Sequence, residues 1–303
     1  MYILHPDEYL LPCYRISPFR TQDLILNNSY RENNLVDEYF RQRFSERTYI
    51  YTFNGRTAIN IALSFYKLAK NDVVTILTTS GNFYISGCVT REIEKFCKWS
   101  RDFVPETKLI FVNHEFGYPY PELRSLQKYN IPIIEDCAAS FFSADPGNSI
   151  GRIGDFVIYS LPKMFPLQIG GLLVSKNENL DNYNTVLKPE LLRYIRKVLS
   201  EYIPKRDQII NKRIDNYREL KARFETLNLP ERFELQDGVV PGVFLFRTDR
   251  IDIDLAELRI HFWAHGIQSS VFYGEKAFYI PVHQALVSDD LDYFYEVMKT
   301  FLE

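Results

Sequence analysis

The 303-residue chain has no excess of charge of either sign. It carries 36 Lys and Arg against 39 Asp and Glu, a formal net charge of −3. Nucleic acid and anionic membranes therefore leave no electrostatic footprint as bulk partners. Histidine is scarce: the five present are scattered without paired-ligand spacing, so no structural zinc or other metal is expected. The four cysteines, Cys13, Cys88, Cys97 and Cys137, form no CxxC pair. Buried, reduced thiols in a cytoplasmic protein are expected. No window approaches 18 uncharged apolar residues, and Met1–Glu8 lacks a basic stretch followed by an apolar run, so neither a membrane span nor a signal peptide is expected. A GxGxxG after the first strand is also missing, which disfavours a nicotinamide-binding fold. There are no repeats and no low-complexity segment.

Apolar and aromatic residues are plentiful, with 46% hydrophobic residues, 23 Phe and 21 Tyr, enough to bury a substantial core. Short continuous apolar runs recur at Thr48–Phe53, Val73–Leu77, Ile93–Phe96, Leu109–Val112, Ile131–Ile134, Phe156–Tyr159 and Leu172–Val174. Runs of this length and composition read as strands buried on both faces. Between them, Thr57–Lys70 carries Ala58, Ile61, Ala62 and Phe65 at helical spacing, and Pro121–Tyr129 starts at a proline. Alternating strands and helices predict an α/β domain with a mainly parallel sheet. After Ser175 the pattern changes. Residues 188–227 read as two helices broken near Pro204, with a basic, solvated face. A strand (Val243–Arg247), a helix (Leu255–His265), extended stretches (Gln268–Tyr273, Tyr279–Val282) and a last helix (Asp289–Leu302, capped by Ser288) follow. This predicts a large domain over 1–185 with an N-terminal arm, and a helical connection plus a small α+β domain over 186–303.

Three segments follow strand ends, the edge at which open α/β sheets bind ligands. Asn54-Gly55-Arg56-Thr57-Ala58 lies between a strand and a helix. It can be an anion-binding turn, with Gly55 letting the backbone approach and Thr57 adding a hydroxyl, or simply a helix cap. Glu135-Asp136-Cys137-Ala138 ends a hydrophobic strand in two acids. Such acids can serve a metal, ribose hydroxyls or a protonated ring nitrogen, or can cap a helix. Ser160-Leu161-Pro162-Lys163 precedes Gly170-Gly171. A lysine in a desolvated turn between apolar strands becomes a usable amine nucleophile, while in an open loop it is only a surface residue.

The order of these segments resembles the DegT/DnrJ/StrS sugar aminotransferases, within the aspartate-aminotransferase-like enzymes that use pyridoxal 5'-phosphate (PLP). Asn54–Ile59 resembles the phosphate turn, and Phe83 falls where an aromatic covers the cofactor ring. Glu115-Phe116-Gly117-Tyr118-Pro119 resembles the turn before the aspartate strand, Ile134–Ala138 the aspartate motif, and Tyr279–His283 the C-terminal Leu-Pro-Leu-His stretch. Lys163 stands as far ahead of Gly170-Gly171 as the family's cofactor-bearing lysine. The chain departs from the pattern at Ala139 (Gln or His), Ile169 (an acid) and Phe272 (His). Ser160 and Lys163 are more closely spaced, and the segment from Gly171 to Lys188 is too short for the Asn-Arg-Met motif that reaches the neighbouring subunit's cofactor and sugar.

The resemblance implies a short, divergent family member with a seven-stranded large domain. It assigns catalysis to Lys163 and Asp136, and cofactor binding to Gly55, Arg56, Thr57, Phe83, Asp136, Ser160 and Lys163. It implies a cytoplasmic homodimer that moves an amino group from an amino acid, plausibly glutamate, to a keto-sugar in polysaccharide or sugar biosynthesis. Another PLP reaction, of the aldolase or dehydratase type, and a non-catalytic relative remain the alternatives.

Overall fold

The computed structural model describes residues 13–44, 46–183 and 185–303. Part of the expected N-terminal arm, residues 1–12, lies outside the described residues. Seven strands form one sheet: β1 (Thr48–Thr52), β2 (Val73–Thr78), β3 (Lys98–Ser100), β4 (Thr107–Asn113), β5 (Ile133–Asp136), β6 (Phe156–Ser160) and β7 (Gly171–Ser175). Their order across the sheet is β1-β7-β6-β5-β4-β2-β3. From β3 to β6 every pairing is parallel, while β7 runs antiparallel to both β6 and β1. The expected mainly parallel, seven-stranded α/β sheet is therefore present.

Both faces of the sheet are covered, which is why its strands read as continuous apolar runs. Val157 and Tyr159 of β6 pack on one core with α2 (Leu35–Arg43) and α5 (Pro189–Tyr202). Phe156 and Ile158 pack on the other with α3 (Gly55–Ser64) and α4 (Gly87–Ile93). The two-residue strand period sends neighbours to opposite sides, and each fully buried large apolar side chain contributes about 1.5–3 kcal/mol. A short helix, α1 (Asp23–Ser29), packs against α5.

The C-terminal part builds a second core. A three-stranded antiparallel sheet, in the order β8 (Phe244–Arg247), β10 (Ala277–Ile280), β9 (Ser270–Val271), is backed by α6 (Arg206–Glu225), α7 (Leu255–Ala264) and α8 (Ser288–Leu302). The two basic helices, α5 and α6, meet through a short 3₁₀ turn, Ile203–Lys205, that contains Pro204.

Several expected elements shift. Ile93–Phe96 is not a strand. Ile93 ends α4, whose Val89 and Ile93 face the core one turn apart, and the edge strand begins at Lys98. Ser86 starts that helix by accepting from the Cys88 amide, at 3.3 Å. The helix expected to reach Lys70 ends at Ser64, and Lys67 takes a positive φ of 47°. Leu123–Tyr129 is a 3₁₀ helix closed by Asn130 in the left-handed region. Ser288 does not cap α8. Val287 holds the cap position, with its amide donating to Asp290 Oδ2 at 2.9 Å, while Ser288 Oγ donates to Glu219. Cys97 and Cys137 are buried as expected, but Cys13 and Cys88 are exposed.

The segment after β10 packs with the C-terminal core against α6 and buries His283, which is 3% exposed. Burial first, then the charges of Arg213 and Arg20, push the imidazole pKa down to about 3. The folded chain thus holds this ring neutral, while the unfolded chain protonates it near 6.5. The unfolded state binds the extra proton between those values, so stability from this residue is present above about 6.5 and is lost as pH falls toward 3. His283→Gln is expected to flatten the decline of urea-unfolding stability between pH 6.5 and 4, by up to about 1.4 kcal/mol per pH unit. Parallel curves for the two proteins over that range would refute it.

Candidate active site

The parallel strands end on one edge, and the polar groups singled out in the sequence gather there. β5 ends at Asp136, β6 at Ser160, and β1 runs through Asn54 into α3. Asn54 caps α3 by accepting from the Thr57 amide at 3.0 Å and from the Thr57 hydroxyl at 3.3 Å. The cap reading and the anion-turn reading are therefore compatible. The cap takes the Thr57 amide and leaves the first amides of the helix, those of Gly55 and Arg56, without an intrahelical acceptor. A Cβ on Gly55 would lie 3.7 Å from Ser160 Cβ, which brings the start of α3 against the end of β6. The Ser160 hydroxyl has no side-chain partner among the described residues. Free helix amides beside a free hydroxyl make an anion cradle. Arg56 points outward, exposed to solvent.

The glycine pair explains how this cradle stays close to the sheet. The Gly170 amide donates to Phe53 O at 2.7 Å. A Cβ at Gly171 would stand 2.6 Å from the carbonyl carbon and oxygen of Asn54, and would also strike Thr52 Oγ1. β7 can thus start only with a residue lacking a side chain.

Asp136 is 7% exposed, and its Oδ1 accepts from the Ala138 amide at 2.9 Å. Burial raises its pKa, offset in part by the Lys163 charge, that hydrogen bond and His114. Its carboxylate is thus short of a partner cation, which is the environment a protonated ring nitrogen would complete. Lys163 ends a 3₁₀ turn, Leu161–Lys163, directly after β6. In the single chain it is exposed, so the desolvated pocket expected from sequence is not formed by this chain's own residues. Phe83 likewise stands 73% exposed in the turn after β2, with no ring partner among the described residues. The turn itself is fixed, since Asn82 Nδ2 donates to Tyr273 O at 2.7 Å and the Ser80 amide donates to Glu115 Oε2 at 2.6 Å. The edge thus brings Gly55, Thr57, Ser160, Asp136 and Lys163 together, and leaves Phe83 and Arg56 facing outward.

Glu135, one residue before Asp136, faces away from this edge. It is wholly buried and accepts from the amides of Gly151 (2.6 Å), Ile153 (2.8 Å) and Gly154 (2.6 Å). It also meets His114 Nε2 at 3.1 Å. His114 Nδ1 accepts from the Tyr120 amide at 2.9 Å, so the ring proton belongs on Nε2, donated to Glu135. With both ring nitrogens engaged, the cluster His114–Glu135–Cys137 offers no free histidine ligand for a metal.

Sequence reasoning missed Arg213, which is 0% exposed and donates from Nη2 to Lys163 O at 2.9 Å. Burial pulls its pKa down to about 9, so it keeps its charge at neutral pH. The available signal was its helical spacing with Ile209, Tyr217, Leu220 and Phe224, which places it on the apolar stripe of a helix otherwise read as basic and solvated.

A sheet of this order, with a carboxylate, a lysine and an anion cradle on its C-terminal edge, defines a PLP-enzyme fold of the aminotransferase kind. The family model described as "Putative PLP-dependent aminotransferase" matches residues 36–233, and the chain belongs to that family, whose cofactor is PLP. Among solved structures, "Putative sugar aminotransferase Spr1654" from Streptococcus pneumoniae aligns at 14% identity and a TM-score of 0.73, covering 94% of this chain and 96% of its own. That protein has been solved in both PLP and PMP forms. A DegT DnrJ EryC1 StrS aminotransferase from Brucella abortus aligns at 14% identity and a TM-score of 0.69, covering 92% and 93% of the two chains. The GDP-4-keto-6-deoxy-D-mannose-3-dehydratase of E. coli aligns at 13% identity and a TM-score of 0.69, covering 95% and 100%. The chain is similar to these in fold. No curated protein matches it in sequence. Among the described residues, no helix is long and apolar enough to cross a membrane.

Gly171→Ala is expected to displace the Asn54 turn. Forcing extra volume into a packed site costs typically 1–3 kcal/mol, and the altered cradle should weaken PLP phosphate binding at least tenfold. Thermal unfolding and a PLP titration check both effects. Unchanged values would show that the close approach is unimportant.

Proposed function

We propose that this chain is an aminotransferase that takes nitrogen from an amino acid, plausibly glutamate, and delivers it to a keto-sugar. The observation that carries the reading is the meeting of Asp136, Lys163 and the Gly55–Ser160 cradle on one sheet edge. In this reading, residues 1–185 hold the cofactor and residues 186–303 form the smaller unit beside it. Lys163 holds the cofactor covalently through its amine. Asp136 pairs with the ring nitrogen and keeps it protonated. The amides of Gly55 and Arg56 and the hydroxyls of Thr57 and Ser160 hold the phosphate. When bound, PLP supplies an electron sink for the substrate's α-carbon. The Lys163 amine, when not bonded to the cofactor, would carry a proton at that carbon. Lys163 and Phe83 are open to solvent in the single chain, which suits completion of the site by a second copy. We therefore favour a homodimer working in the cytoplasm.

The same edge would also serve dehydration, the activity named for the E. coli neighbour. The two reactions separate at the product, because only transamination leaves the nitrogen on the sugar.

Borohydride added to the PLP-loaded protein is expected to fix the cofactor on Lys163, as read by peptide mapping. An adduct on another lysine would overturn the assignment. Asp136→Ala is expected to retain that adduct and lose turnover. Removing a buried charge partner costs on the order of 3–5 kcal/mol, a rate loss of roughly a hundredfold or more. Near-normal turnover would refute the role.

The donor half-reaction is expected to survive better than the acceptor half-reaction. Glutamate or another amino acid should bleach the yellow protein, while ordinary nucleotide-linked keto-sugars should restore the colour slowly. The chain lacks the Asn-Arg-Met segment, and it carries Ala139 and Phe272 in place of polar residues. Fast recovery with those acceptors would show the missing contacts to be dispensable. Failure of every amino acid to bleach it would favour the non-catalytic reading.

A further inference from the structure

The loop that carries Lys163 leaves a row of backbone carbonyls without backbone donors, because a 3₁₀ turn ends there and no helix continues it. Side chains from four separate parts of the chain take them up. Ser17 Oγ donates to Pro162 O at 2.7 Å, Arg213 Nη2 to Lys163 O at 2.9 Å, Gln284 Nε2 to Met164 O at 2.9 Å, and Asn27 Nδ2 to Pro166 O at 2.7 Å. Of these donors, Arg213 alone reaches the lysine's own carbonyl.

Arg213 is an expensive choice for that contact. Its side chain is fully buried on α6, and no carboxylate pairs with it among the described residues. Its remaining bonds go to neutral oxygens, from Nε to Gln284 Oε1 at 2.8 Å and from Nη1 to Pro241 O at 3.1 Å. A buried charge without a counter-charge costs desolvation, and an apolar side chain of similar volume would pack as well or better. Packing alone therefore does not account for an arginine here. Directional, charge-assisted donation to three acceptors at once does. One of those acceptors is the lysine turn, one belongs to the segment after β10, and one precedes Gly242, whose amide donates to Phe116 O at 2.6 Å. The guanidinium is thus the joint at which the lysine turn, the Pro241 segment and the Gln284 segment meet.

We propose that Arg213 is the positioning residue of Lys163, fixing the lysine's backbone so that its amine is presented at the sheet edge. This rests on the reading of Lys163 as the cofactor-bearing residue. The role is indirect: Arg213 acts on the turn and touches no substrate.

The test compares Arg213→Met, Arg213→Lys and Tyr217→Phe. The last removes a hydroxyl from the same helix, one that donates to Phe233 O at 2.7 Å away from the lysine turn. Hydrogen exchange of the PLP-free protein is read at the Met164 and Phe165 amides, which bond Leu161 O at 3.0 and 2.9 Å. R213M is expected to speed exchange at those two amides at least tenfold, while the amides of α6 and β8 keep their protection. R213K should rescue part of the loss, and Y217F should leave the two amides unchanged whatever it does to the melting temperature. In the second measurement, PLP fixed on Lys163 by borohydride should accumulate at least tenfold more slowly in R213M than in the parent, with R213K in between.

Parental exchange and labelling in R213M would overturn the proposal. So would a rise in exchange spread evenly over α6, β8 and the turn, which marks a merely stabilising residue. If R213M does not fold, Gln284→Met, which releases Met164 O and the Nε contact of Arg213, must give the same local rise or the proposal falls. If the parent protein takes no PLP on Lys163, the functional reading fails, and the exchange measurement alone still decides whether Arg213 fixes the turn.

Discussion

A single buried carboxylate organises the edge on which the site is built. Glu135 lies in the middle of the sheet with no solvent contact, and its charge is met by the amides of Gly151, Ile153 and Gly154 and by the Nε2 proton of His114. Carboxylates satisfied in this way are stable inside a protein, and stranded ones are not. Each contact ties β5 to something that must be held still. The three amides anchor the loop that leads into β6, at whose far end stands Ser160. His114 anchors the end of β4 and, through the Tyr120 amide, the turn beyond it. Because strand neighbours face opposite ways, fixing Glu135 inward fixes Asp136 outward. The structural acid and the site acid are adjacent in sequence, and the position of the second follows from the satisfaction of the first.

The opposite wall of the site depends on close backbone approach instead of charge. Gly171 lets β7 start against Asn54, and Gly117, at φ 102°, lets the turn after β4 meet the carbonyl of Val240. A side chain at either place would collide with backbone, which cannot move aside as a side chain tip can. Phe116, just before Gly117, takes a positive φ of 52° that costs a non-glycine residue roughly 1–3 kcal/mol. Its carbonyl accepts from Gly242, and its ring packs at 5.5 Å from Phe272 and 5.1 Å from Tyr279. The strain is held by contacts from the C-terminal part of the chain, so the large sheet's edge is shaped in part by residues more than a hundred positions away.

That distance separates what was legible in the sequence from what was not. The sheet was legible because both its faces are buried, so Val73–Leu77 and Leu109–Val112 read as unbroken apolar runs. The acid pair, the Asn54 turn and the lysine before Gly170-Gly171 were legible because each lies at a strand end, where local order predicts spatial position. Ile93–Phe96 misled because two core-facing residues one helical turn apart, followed by Phe96, resemble a short apolar strand. Ser288 misled because a serine before two acids is a common cap, and here Asp290 reaches back to bond the Val287 amide. The outward side chains of Arg56 and Phe83 were not legible, since motif position fixes a backbone and not a rotamer. Arg213 was hidden for a different reason. It lies on the buried stripe of α6 with Ile209, Asn216, Tyr217, Leu220 and Phe224, but the many charged residues around it made the helix read as basic and solvated.

The C-terminal part of the chain also bears on what the site can accept. Where the resemblance implies polar residues, this chain has Ala139, packed near Gly242, and Phe272, which is 4% exposed and joined to Val243, Leu245 and Ala277 in a small apolar core. These residues cannot hydrogen-bond a sugar hydroxyl, and their burial stiffens the wall on which such a group would rest. Polar groups persist farther out, where Arg259 Nη1 donates to the Tyr273 hydroxyl at 3.0 Å and the Tyr84 and Tyr273 rings lie 5.1 Å apart. These polar groups stand near the exposed Phe83. Discrimination between acceptors resides where a hydrogen-bonding group is left unpaired by the wrong ligand. Under the proposed function, Arg259, Tyr273 and Tyr84 would be such groups, whereas Ala139 and Phe272 would not. An acceptor would then be distinguished by what it offers to those outer groups.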